Sequence, residues 1–110
     1  WLERARAYYQ LQRFLEAFHD YNRVLVLDPD HLEARLQRSV LHNIFGRKNQ
    51  ALQDAESCIQ LAPNRAAPYR ARGQSLLALE RSQLAVQDFT KAIELSASPL
   101  PFIVFDLLLT

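Results

Sequence analysis

One cysteine among 110 residues can form neither an internal disulfide nor a thiolate zinc site, so the sequence points to a reducing, intracellular and most simply cytoplasmic setting. No run of about 20 apolar residues is present, and no basic-then-apolar leader accompanies the first residue, Trp1. The expectation is an excised fragment without an export signal or a membrane span. Net charge is equally scarce. Thirteen basic against twelve acidic side chains leave +1, far from the balance of a dedicated phosphate-backbone binder. Strand signals are lacking. Hydrophobic residues at 49% and charged residues at 23% exclude a disordered tail. The length fits one domain, with a core too small to enclose a deep active-site cavity as well.

What the sequence has is a period. Shifted by 34 residues, Ala17, Ala51 and Ala85 coincide, as do Leu27, Leu61 and Leu95. Leu25, Ile59 and Ile93 keep aliphatic character, Ala5, Ser39 and Gly73 stay small, and Val24, Cys58 and Ala92 stay compact. Arg4, Arg38 and Arg72 make one charged column and Asp20, Asp54 and Asp88 another, while Pro29 and Pro63 close the first two units. Inside a unit, spacings of three and four recur twice, in Trp1, Ala5 and Tyr8 and then in Phe14, Ala17, Phe18, Tyr21, Val24 and Leu25. This predicts helix, turn, helix. Phe45-Gly46-Arg47 marks the turn of the second unit, where glycine can take positive φ, and Pro68 falls in the first helical turn of the third.

Closely crossing antiparallel helices need little bulk at the crossing point, which assigns Ala17, Ala51 and Ala85 to that place, facing Ala5, Ser39 and Gly73. Tyr8, Tyr21, Leu76 and Phe89 would fill the volume beside them. One helix pair alone leaves an apolar face wet, so the three units must stack.

These columns resemble the tetratricopeptide repeat family. Tyr69, Arg72, Gly73, Ala85, Phe89 and Ala92 carry the likeness in the third unit, and Trp1, Ala5, Tyr8, Ala17, Tyr21 and Pro29 in the first. Departures are arginine at Arg4, Arg38 and Arg72 where the pattern has leucine, Arg35 and His42 at aromatic columns, and Ala97 where proline would close the third unit. The resemblance implies an all-α protein, an α-solenoid wound as a right-handed superhelix of about three helix-turn-helix units. Residues 1–99 would form one domain, with repeats at 1–31, 32–65 and 66–99. It implies a protein–protein interaction scaffold or adaptor that holds a peptide or helix of a partner in its concave groove. No catalysis and no cofactor are implied. A structural spacer within a longer array is the alternative.

By the same analogy the groove is lined by the first helix of each unit. That places Leu2, Arg6, Tyr9 and Gln10 there, then Leu36, Gln37, Val40 and Asn43, then Arg70, Gln74 and Leu77. Amide, guanidinium and aliphatic groups suit a peptide held by hydrogen bonds beside apolar pockets. The family's carboxylate clamp for chaperone C-terminal tails would need three cations, yet its register holds Leu2, Arg6, Gln37, Ala67 and Ala71. A chaperone tail is therefore not expected as partner.

The arginine and aspartate columns are expected to pair with each other. The first hypothesis is Asp20 with Arg38 and Asp54 with Arg72 across unit junctions; pairing inside a unit, as Arg4 with Asp20, is the alternative. Cys58 aligns with Val24 and Ala92 and is read as a buried packing thiol, not a nucleophile beside His42. His19 and His31 are read as surface histidines, and no metal site is expected. Single-stranded RNA is a distant further possibility, raised by eleven arginines among thirteen basic residues and opposed by the interleaved acids. The last stretch, from Pro99 to Thr110, breaks the pattern. It is about half of a membrane span, and is expected either to pack against Phe89, Ala92 or Ile93 or to be a segment whose cover is missing.

Overall fold

The computed structural model describes residues 1–97, which contain six helices and no strand. They are α1 (Leu2–Gln10), α2 (Phe14–Leu27), α3 (Leu32–Ile44), α4 (Lys48–Leu61), α5 (Ala66–Ala78) and α6 (Ser82–Ala97). Each helix packs on the next in chain order, and α3 also packs on α5, so the pairs stack along one axis as an α-solenoid. The expected packing of residues 99 to 110 on the last pair lies outside the described residues.

The turn inside each pair is built alike. Gln12, Gly46 and Glu80, 34 residues apart, take φ values of 60°, 77° and 63°. The next N–H then reaches back to the helix: Arg13 to the Tyr8 carbonyl at 2.9 Å, Arg47 to His42 at 2.7 Å and Arg81 to Leu76 at 2.8 Å. Left-handed backbone at the first residue past the helix and this long return bond form the Schellman motif. Glycine was expected to play this part in the second unit, and does. In the other two units a side chain bears the strain. Replacing Gln12 or Glu80 by glycine is therefore expected to stabilise the fold by about 0.5–1 kcal/mol each, read by urea unfolding, with no gain for an alanine control. Loss of stability in both glycine variants would show that the two side chains make up for the backbone strain.

The small columns sit where the crossing requires. Ala5, Ala17 and Ala51 are fully buried, Ser39 and Ala85 nearly so. The Ser39 hydroxyl donates to the Ala51 carbonyl at 2.7 Å, which puts the two columns face to face. Gly73 is tighter still, since a Cβ there would lie 2.8 Å from the Phe89 ring. Tyr21 and Leu76 are buried beside the crossings, whereas Tyr8 and Phe89 are only half-buried.

The arginine and aspartate columns pair within units, not across junctions, which corrects the first hypothesis. Arg4 Nε donates to Asp20 at 2.7 Å, Arg38 Nε to Asp54 at 2.7 Å and Arg72 Nε to Asp88 at 2.8 Å, each with a second bond from the same guanidinium. The three aspartates are buried. The arginine in each unit thus lies along the seam between its two helices with its carboxylate beneath it. Arg4 holds the Asp20 carboxyl below the ordinary carboxylate range, against the desolvation that would raise it.

At one aromatic column of the second unit a polar group makes an equivalent contact. Tyr69 Oη donates to the Pro63 carbonyl at 2.8 Å, and Arg35, its counterpart one unit earlier, donates from Nη2 to the Pro29 carbonyl at 2.6 Å. Arg35 Nη1 also reaches Asp54 at 3.3 Å.

Candidate functional site

The first helices α3 and α5 lie side by side, and between them runs a depression of about 230 Å³. Leu36, Gln37 and Val40 of α3 form one wall; Arg70 and Gln74 of α5 form the other, with Ala67 and Ala71 between. Five of the expected groove residues are thereby brought together. Two equivalent positions distinguish this junction from the one between α1 and α3. At the first junction Arg6 faces Glu33, and its guanidinium donates to both carboxylate oxygens at 2.5 Å. One unit on, those positions are Val40 and Ala67, which are too short to bridge the gap. At these positions the first junction is bridged by an ion pair and the second is not.

The other expected groove residues are placed elsewhere or otherwise engaged. Leu2 and Tyr9 are half-buried against the first-unit core, Tyr9 edge-on to Phe14 with centroids 5.6 Å apart. Gln10 is exposed, and Leu77 is exposed outside the depression. Asn43 Nδ2 donates to Ser75 Oγ at 3.3 Å, tying α3 to α5. Glu33 and Ser75 were missed from the sequence because neither belongs to a 34-residue column of like residues; only the adjacency of first helices reveals them.

Arg70 is the one charged residue lining the depression, and it makes no ion pair among the described residues. Arg6 is committed to Glu33, and in return keeps that carboxyl below its usual range. The groove therefore offers an apolar floor, two amides and one cation.

The alternative chemistries find little support in the geometry. Cys58 is fully buried, and burial pushes its thiol up to about 12, which leaves no thiolate near neutral pH. His31 caps α3, its Nδ1 accepting from the Ala34 N–H at 3.2 Å, a role the surface reading did not foresee. His19 is exposed beside Phe18. No cluster of three or more metal-binding side chains occurs among the described residues, and no helix among them is long and apolar enough to cross a membrane. A cavity of about 520 Å³ between α2, α3 and α4 contains Arg35 and Arg38, both bound to Asp54.

His42 lies in that cavity wall, buried, edge-on to Phe18 with centroids 5.2 Å apart. Desolvation lowers its pKa; Asp54 opposes this, while Arg38 and Arg47 add to it. Its Nδ1 is buried without a partner, so a proton there would have no acceptor. Because the folded pKa lies below the unfolded value of 6.5, the unfolded chain binds more protons as pH falls. Stability from the neutral ring is complete above about pH 6.5 and is lost on acidification through the folded pKa. His42→Phe is expected to flatten the urea-unfolding free energy between pH 6.5 and 5 relative to wild type. Parallel pH profiles would refute this.

Comparison with known proteins supplies the family. Tetratricopeptide repeat models match residues 1–31 and 69–99. Human tetratricopeptide repeat protein 13 is 36% identical over 80 residues, 73% of this chain and 9% of that protein. Hsp70-Hsp90 organizing protein 3 of Arabidopsis thaliana is 25% identical over 92 residues, 84% of this chain and 15% of that protein. The chain thus spans a small part of these relatives. Among solved structures, the first repeat domain of Spaghetti (RPAP3) bound to the HSP90 peptide SRMEEVD superposes with a TM-score of 0.80 at 20% identity, over 96% of this chain and 89% of that one. The match at that identity concerns the fold. Stacked helix pairs, a 34-residue period, the small crossing columns and two matching repeat models together show that the chain belongs to the tetratricopeptide repeat family.

Proposed function

We propose that residues 1–99 act as one interaction module, an adaptor whose α3–α5 groove holds an extended peptide or a helix of a partner protein inside the cell. The observation that carries this is the depression at the second junction, where Val40 and Ala67 stand in place of the ion pair that bridges the first. An apolar floor of Leu36, Val40 and Ala71 would take one or two aliphatic side chains, while Gln37, Gln74 and Arg70 hydrogen-bond the partner's backbone or a carboxylate. The chaperone organizer and the peptide-bound Spaghetti domain support peptide capture as the use of such a module. A chaperone tail is a poor occupant here. Its two terminal carboxylates meet Leu2, Gln37, Ala67 and Ala71 in the clamp register, and the one cation there, Arg6, is already spent on Glu33. The reading assigns no chemical step, cofactor or metal to the chain.

The test is quantitative affinity capture from lysate with the wild-type chain and with Leu36→Ala, Gln37→Ala and Val40→Ala combined, once circular dichroism has shown equal helicity. Specific protein partners are expected to drop at least tenfold with the triple variant. Equal capture would favour a spacer within a longer array, and a bound fraction sensitive to nuclease would favour RNA.

A further inference from the structure

The cavity of about 520 Å³ that has α2 and α4 as walls and α3 as floor occurs twice in the period. One unit on, α4, α5 and α6 enclose its counterpart of about 290 Å³. Phe18, Arg38, Gln53 and Asp54 of the first correspond to Leu52, Arg72, Gln87 and Asp88 of the second. The other positions diverge. Asn22, His42 and Gln50 line the first cavity where the second has Glu56, Leu76 and Leu84, and Arg35 lines it where the period has Tyr69. Charge diverges with them. Arg35 and Arg38 against Asp54 leave the first cavity an excess cation, whereas Arg72 and Arg81 are balanced by Glu56 and Asp88 in the second.

The excess faces outward. The Arg35 and Arg38 side chains are 19% and 24% exposed, and the Asp54 carboxylate that they share is 6% exposed. Arg38 donates to Asn22 Oδ1 at 3.2 Å, which turns that amide so that its N–H groups remain to donate. Gln50 and Gln53 add two exposed amides on the α4 wall. The α2 wall is apolar, made by Phe18, Leu25 and Val26, the last 80% exposed. Partly exposed guanidinium and amide donors recognise an oxyanion, and planar guanidinium groups match a carboxylate. A small free anion would leave the apolar wall wet. We infer that this cavity binds an acidic side chain of a partner protein, a glutamate or aspartate flanked by aliphatic residues, with its carboxylate on Arg35, Arg38 and Asn22 and an aliphatic neighbour against Phe18 and Val26. At about 3.6 residues per turn, Arg35, Arg38 and His42 fall on the side of α3 opposite Leu36, Gln37 and Val40. The cavity and the α3–α5 depression share no lining residue, so the two can be filled together and each stands without the other.

The test titrates the whole 110-residue chain with a blocked pentapeptide of alanine, leucine, glutamate, leucine and alanine, whose one carboxylate is the glutamate side chain, and follows the side-chain NMR signals of Asn22, Arg38 and His42. Saturable shifts are expected there, with an affinity lower by about tenfold when glutamine replaces the glutamate. Arg35→Tyr combined with Asn22→Glu copies Tyr69 and Glu56, which the fold accepts one unit on, and is expected to weaken binding by at least about tenfold. Val26→Asp, at an exposed position outside the core, is expected to weaken it by at least about fivefold. Gln37→Ala combined with Val40→Ala, in the groove, is expected to leave it unchanged. Equal affinity for the two peptides, no saturable shift up to about 20 mM, unchanged binding in the cavity variants, or loss of binding in the groove variant would each overturn the site. Acetate bound as tightly as the peptide would overturn a protein segment as its occupant, because the apolar wall would then contribute nothing.

Discussion

Gly73→Val is expected to cost about 3 kcal/mol and to lower Tm by roughly 10–20 °C. A Cβ on Gly73 would lie 2.8 Å from Phe89 Cε1 and 3.0 Å from both Cδ1 and Cζ, so it meets a ring, not the tip of a flexible chain. The valine methyls would then force α5 and α6 apart at their crossing, where Ala85 has no bulk to give up. Gly73→Ala is a finer probe. Alanine recovers about 1 kcal/mol of helix propensity against an overpacking cost of about 2 kcal/mol, a net loss of about 1 kcal/mol. Adding Phe89→Leu should relieve most of that loss. A rise in Tm for Gly73→Ala alone would mean that the ring swings into the cavity beside it, and that the crossing tolerates more bulk than its geometry indicates.

Arg72→Ala is expected to destabilise the chain by about 2 kcal/mol. It leaves Asp88 buried with no other cation bound among the described residues, and an abandoned buried carboxylate is costly. The figure is lower than for a fully buried pair because the Arg72 side chain is a third exposed. Arg38→Ala gives the contrast. Asp54 would keep Arg35 at 3.3 Å, so the loss there should be about half as large. Urea unfolding of both variants decides the matter. Equal losses would show that Arg35 does not compensate, and that the long Arg35–Asp54 contact contributes little.

Most of the fold could be read from the period. Column identity at Ala17, Ala51 and Ala85 and at Ala5, Ser39 and Gly73 was enough to set the helix pairs face to face, because a close crossing admits few residue types. The direction of charge pairing was not legible. Asp20 stands 16 residues from Arg4 and 18 from Arg38, and only the position of the seam between helices selects the first. The groove was half legible. A residue-by-residue analogy named Leu36, Gln37, Val40, Arg70 and Gln74, and these five line one depression. It could not foresee that Arg6 would be consumed by Glu33, since that contact joins side chains 27 positions apart that follow no repeat. The capping role of His31 escaped for a related reason: imidazole is an uncommon helix cap, and its local geometry decides.

Arg35 shows what defines a unit in this architecture. A guanidinium in a place where Trp1 and Tyr69 stand in the neighbouring units makes the same bond to a proline carbonyl that the tyrosine makes. The position prescribes a donor at a given height above the loop, and more than one side chain can supply it. Counting units by residue identity consequently gives a lower bound, while the spacing of the crossing alanines and of the left-handed turn residues is a ruler that survives such exchanges.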